Sequence, residues 1–213
     1  VWSVWAERLD LYVCRGQVWI RRPGRPMASV TAPTTLPLQA LLRKVEEALQ
    51  ADAPGSRCRV HISLSAQLCP PVVFEAPKGI RWKERAWIAQ RKAALHWGLA
   101  AEQADKMACV LSPTVHGLAA AMPGAMLELI RQWVGSQGWQ CVAVEPMWSH
   151  LTLAHRQLLR HASGLELLEP DGGPVVLGAG VDGARVRLGW TSRSGDPASS
   201  TGGWKSCFEA DAT

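Results

Sequence analysis

Alternation and helical spacing divide the chain into short elements. LDLYVC places Leu9, Leu11 and Val13 on one face at a period of two, which predicts a strand. Arg15-Gly16 then turns the chain into a second strand, QVWIRR. VWSVW before them makes a three-strand meander over residues 1–22, and MASVTA adds a further strand. Residues 36–50 carry Leu38, Leu41, Leu42, Val45 and Leu49 at one-face helical spacing, with Thr35 as N-cap and Pro37 in the first turn. CRVHISLS predicts a strand with Val60, Ile62 and Leu64 inward, and PPVVFEAP a short one.

Residues 82–97 predict a helix whose apolar side holds Trp87, Ile88, Ala94 and Leu95, interrupted by Arg91. MACVLS, from 107, predicts a short strand. Residues 124–134 predict a helix stopped by Gly135 and Gly138, followed by the strand WQCVAVEP and a helix over 149–161 capped by Ser149. LELLE, VVLGA and RVRLGW then read as strands joined by the turns PDGG and VDGA. The tail from Ser192 is rich in Ser, Gly and Pro and reads as flexible. The whole is a mixed α/β chain.

Composition narrows the class. With 47% hydrophobic and 19% charged residues, 213 residues can bury a core. The net charge of +5 is spread in short clusters, which a solvated surface explains without nucleic acid. No apolar run reaches the ~20 residues of a membrane span. Any anchor would lie outside these residues, and the initial Val suggests a fragment or trimmed chain. The six cysteines form no C-x-x-C, and most sit in apolar runs where a reduced thiol packs as a small hydrophobe, which favours a reducing compartment.

Candidate chemistry concentrates in SQGWQCVAVEPMWSHLTLAHRQLL, residues 136–159. His150, His155 and His161 are five and six residues apart, so on a helix they diverge and make no zinc pair. Glu145 ends a strand, where α/β sites often form, so an enzyme using Glu145, His150 and His155 is one reading. Trp139 and Trp148 read as packing strand against helix. GAGVDG, 178–183, has the glycines of a dinucleotide loop but precedes a strand, not a helix. RWKERAW, 81–87, mixes bases with aromatics, yet its spacing is that of a packed helix rather than a nucleic-acid platform.

Three stretches carry a family resemblance: VWSVWAERLDLYVCRGQVW, LELIRQWVGSQGWQCVAVEPMWSHLTLA and LELLEPDGGPVVLGAGVDGARVRLGW. Together they resemble the actin-like ATPase fold of bacterial secretion and pilus assembly proteins, such as the cytoplasmic domain of GspL in type II secretion and PilM in type IV pili. The resemblance implies ribonuclease-H-like lobes with a short second half. Residues 1–163 would form the first lobe with an inserted α/β section, 164–191 the start of the second, and 192–213 the flexible tail. Actin-like ATPases cradle phosphate on a hairpin between the first two strands. Here that turn is expected to be WAERLD, which lacks Gly and carries the acidic Glu7. A second hairpin, with Asp171, Gly172 and Gly173, could still approach an anion.

The resemblance therefore implies a non-catalytic scaffold, not an enzyme, with no cofactor and no metal. It would bind the assembly ATPase and inner-membrane assembly proteins in the cytoplasm, at the inner-membrane face. Contact with the membrane would run through a partner or an anchor outside the chain, and a homodimer is one arrangement this allows. Ile80, Trp82, Trp87 and Trp97 are the candidate partner-binding residues, provided they are exposed. The alternative is an active ATPase that binds ATP and magnesium at Asp171–Gly173.

Overall fold

The computed structural model describes residues 7–50, 54, 58–77, 79–112 and 117–149, together with the backbone of three strands between 164 and 192. VWSVW, the histidines at 150, 155 and 161, the loop Asp171–Gly173 and the tail from 193 lie outside the described residues. The chain divides into two compact units. One comprises residues 1–69 with 122–147, the other residues 70–121 with 148–213.

The first unit is built on a five-stranded sheet. Its strands are β1 (Arg8–Cys14), β2 (Gln17–Arg21), β3 (Ala28–Thr31), β4 (Arg59–Leu64) and, after the other unit's first segment, β8 (Gln140–Pro146). The spatial order is β3-β2-β1-β4-β8. The β1–β2 and β2–β3 pairs are antiparallel, while β1–β4 and β4–β8 are parallel. A meander thus leads into a parallel half, and the parallel crossovers need helices. Helix α1 (Leu38–Gln50) lies between β3 and β4, and α3 (Gly124–Ser136) directly precedes β8. This is the ribonuclease-H-like arrangement of an actin-like lobe.

The alternating residues do what their spacing predicts. Leu9, Leu11, Val13, Val60, Ile62 and Leu64 are all buried. Helix α1 buries Leu41, Leu42, Val45 and Leu49, its predicted stripe. It starts two residues later than expected. The carbonyl of Pro37 accepts the N–H groups of Ala40 and Leu41, so Pro37 precedes the helix and Thr35 is not its N-cap. Helix α3 buries Ile130, Trp133 and Val134. Trp139 packs edge-to-face on Trp133 at 5.7 Å between ring centroids, and Trp148 is buried. Residues 147–149 are already helical, so Ser149 lies inside the helix it was expected to cap.

The second unit contains a small sheet ordered β5-β7-β6, from β5 (Pro71–Val73), β6 (Met107–Leu111) and β7 (Leu118–Pro123). β7 was not anticipated, because LAAAMP has neither alternation nor β-branched residues. Helix α2 (Trp82–His96) and a 3-10 turn (Ala101–Lys106) pack with this sheet. The core here is small-residue: Ala89, Ala93, Ala94, Ala104, Ala119 and Ala121 surround Phe74 and Met107. The expected apolar side of α2 is therefore corrected. Ala94 is buried as expected, but Trp87 and Leu95 face outward, because alanines let the helix lie close to the sheet.

The last strands, β9 (Gly164–Leu168), β10 (Pro174–Asp182) and β11 (Arg185–Ser192), form an antiparallel sheet ordered β11-β10-β9. β10 runs through Asp182, which pairs with Arg185, so only Gly183-Ala184 connects the strands. Two of the glycines of GAGVDG, Gly178 and Gly180, therefore lie within a paired strand, and the next described element is strand β11.

Candidate functional site

The hairpin between the first two strands is the first place to look for phosphate binding, and the structure moves it. The segment expected to turn, WAERLD, is already strand from Arg8, and Glu7 pairs with Arg22. The hairpin is instead Cys14-Arg15-Gly16-Gln17, with Cys14 opposite Gln17. Glu7 has no place in it, so repulsion of phosphate by Glu7 no longer counts against a nucleotide. Only Arg15 and Gly16 connect the strands, and no Asp, Ser or Thr is among them.

Gly16 has φ +77°, a left-handed conformation that favours glycine. Its carbonyl accepts the Ala32 N–H at 2.7 Å. A Cβ at this position would lie 2.6 Å from the Ala32 oxygen and 3.1 Å from Thr34 backbone atoms. On the side a Cβ would occupy, Gly16 packs directly against the chain's own segment Ala32–Thr34. The other half of the expected phosphate site, Asp171–Gly173, lies outside the described residues.

Glu145 sits near the end of β8, opposite Ser63 of β4, and is half-buried. Its expected partners His150 and His155 are outside the described residues, so the three are not seen together. Among the described residues no group of His, Cys, Asp and Glu could hold a metal ion, and no helix is long and apolar enough to cross a membrane. Among the described residues, Cys14, Cys58 and Cys69 are buried and Cys109 and Cys141 partly so. Burial pushes the Cys109 thiol up to about 11. Cys58 is likewise raised to about 11, by burial first and then by the negative charge of Glu7. Raised thiols stay protonated at neutral pH and are poor nucleophiles.

The four candidate partner-binding residues separate. Trp97 is half-buried and packs on the alanine-rich core of its unit. Ile80 is half-buried just before α2. Trp82 and Trp87 are exposed, at 56% and 52%. They are five residues apart, about 140° around the helix, so they face different directions. Sequence reasoning missed Leu95 as a surface residue; it is 63% exposed on the same broad side as Trp87. The signal lies in the sequence, where Arg91 stands in the middle of that apolar stripe.

No protein-family model matches the chain, and no curated protein sequence matches it. Solved structures do. The PilM–PilN type IV pilus biogenesis complex matches with a TM-score of 0.55 at 15% identity, over 88% of this chain and 61% of that one. The cytoplasmic domain of EpsL, an inner-membrane component of the type II secretion system of Vibrio cholerae, matches with a TM-score of 0.45 at 11% identity, over 86% and 71%. A Bacteroides thetaiotaomicron protein with an actin-like ATPase fold and unknown function matches with a TM-score of 0.49 at 7% identity, over 88% and 70%. The chain spans about three fifths of the PilM–PilN chain it matches. The resemblance drawn from the sequence holds at the level of the fold, which is mixed α/β and actin-like.

Proposed function

We propose that the chain is a non-catalytic, actin-like scaffold of a bacterial type II secretion or type IV pilus machine. In this role it binds the assembly ATPase and inner-membrane assembly proteins from the cytoplasmic side. The fold shared with the pilus biogenesis structure supports the assembly role. The observation that carries the non-catalytic part is the first hairpin. Its turn is two residues long, without Asp, Ser or Thr, and its one glycine packs on the Cβ side against Ala32–Thr34.

The test is thermal unfolding with and without millimolar ATP and magnesium. A ligand that binds only the folded state raises the midpoint by mass action, by about 2.7 kcal/mol of stability at a hundred times its Kd. No shift is expected. A clear rise would overturn the non-catalytic reading, favour the ATPase alternative, and make Asp171 the first residue to replace. In parallel, the tagged chain is expected to retain the assembly ATPase or an inner-membrane assembly protein from host lysate. Retention of neither would remove the scaffold reading.

A further inference from the structure

Helix α2 has two apolar sides. One, with Ala89, Ala93 and Ala94, is buried in its own unit. The other climbs the outside from Trp87 through Arg91 to Leu95, one step every four residues, and drifts only about 40° per step. Ile88, seven residues before Leu95, borders that side but is half-buried and packs on the unit's own core. Large apolar side chains at this spacing, facing water, are how a helix meets another helix or a groove. The stripe is partly organised in advance. The Arg91 guanidinium lies 4.5 Å from the centroid of the Trp87 ring, a cation–π contact that orders both side chains before any partner arrives.

Charge selects the occupant. Between 81 and 92 the chain has five cations, Arg81, Lys83, Arg85, Arg91 and Lys92, against Glu84 alone. The Glu84 carboxylate is engaged by the Arg81 backbone N–H at 2.8 Å. No ion pair joins any of the five cations to a described residue. A second copy docked symmetrically would set these cations against each other. A membrane surface suits a wide apolar face. This stripe offers two exposed large apolar side chains, Trp87 and Leu95, about 12 Å apart along the axis at 1.5 Å per residue, because the rest of the helix is spent on its own core.

We propose that the outward side of α2 docks an acidic amphipathic helix of a partner protein. The partner's apolar stripe packs on Trp87 and Leu95, and its Asp and Glu side chains meet Arg91 and Lys92. The proposal gives the partner chemistry of the scaffold reading and rests on that reading for the machine involved.

The probe is a fluorescein-labelled synthetic helix with Leu on one side and Glu on the other, followed by anisotropy on the whole chain. A Lys-for-Glu version of the peptide, phosphatidylglycerol vesicles and a DNA duplex are the competing probes. The Glu peptide is expected to bind and to weaken about tenfold or more with Trp87→Ala or Leu95→Glu, as an interface anchor does. Binding should fall with added salt. The pair Arg91→Glu and Lys92→Glu is expected to lose the Glu peptide and gain the Lys peptide. All four positions face solvent at least in part, and circular dichroism checks that each variant folds.

Equal binding of both peptides overturns the proposal, as does indifference to all the variants. So do vesicles or DNA bound through Trp87 in place of the peptide. Lysate capture of the assembly ATPase separates the two readings. Capture that survives in every variant removes this docking face and leaves the scaffold. Failure of the unaltered chain to capture any assembly protein, while the peptide result stands, removes the scaffold and leaves the face.

Discussion

Helices α1 and α2 both carry an apolar stripe at helical spacing, and they use it in opposite ways. In α1 the stripe of Leu41, Leu42, Val45 and Leu49 is buried, and the charged side faces water. In α2 the buried side is alanine, while Trp87 and Leu95 face solvent. Periodicity identifies a helix in both cases but cannot say which side is covered. Branched and aromatic side chains hold a helix away from its sheet. Alanines let it come close, and the larger residues are then left over. A leftover stripe of this kind is available to a partner.

The difference can be broken by substitution. Leu42→Ala should cost roughly 2–5 kcal/mol, the range for emptying a buried leucine site. Ala89→Leu works from the other side. Ala89 is fully buried, so added bulk should cost about 1–3 kcal/mol by overpacking. Gly16→Ala should cost more than about 1 kcal/mol, since it forces a left-handed residue and a contact of 2.6 Å with the Ala32 oxygen. Leu95→Ala, on the exposed side of α2, should change stability by no more than about 0.5 kcal/mol. Urea unfolding of the four variants measures all of this. A Leu95→Ala loss as large as that of Leu42→Ala would mean the α2 stripe is core after all.

The cysteines sharpen the same contrast between covered and uncovered positions. Cys58 and Cys109 have thiols raised from 9.0 to about 11 in the fold. Folding therefore favours their protonated form. Their contribution is fully present below pH 9 and is lost as pH rises from 9 towards 11. Stability measured across that window should decline, and native alkylation at neutral pH should be slower than in urea. Equal alkylation rates in the folded and unfolded chain would contradict the burial of these thiols.

Much of the fold was legible, and the reason differs by region. In the five-stranded sheet, Leu9, Leu11 and Val13, and Val60, Ile62 and Leu64, announce their inward face because a strand repeats every two residues. β7 was not legible, since its run of alanines matches no period and depends on neighbours for its pairing. The phosphate hairpin falls at Arg15-Gly16 and not at WAERLD, because β1 pairs with β2 on one edge and β4 on the other and leaves no edge for an earlier strand. The sequence marked Arg15-Gly16 as a turn, but counting VWSVW as the first strand moved the hairpin forward to WAERLD.

The buried faces of β1, β4 and α1, and most of the element order, are written in the chain's own residues. These follow from local spacing, which acts through the covalent geometry of each strand or helix. Tertiary structure alone decided that Gly16 lies under Ala32–Thr34, that Glu7 pairs with Arg22, and that α2 turns its alanines inward and Trp87 outward. Each of these depends on segments distant in sequence or on how closely a helix can approach its sheet. No local period records either.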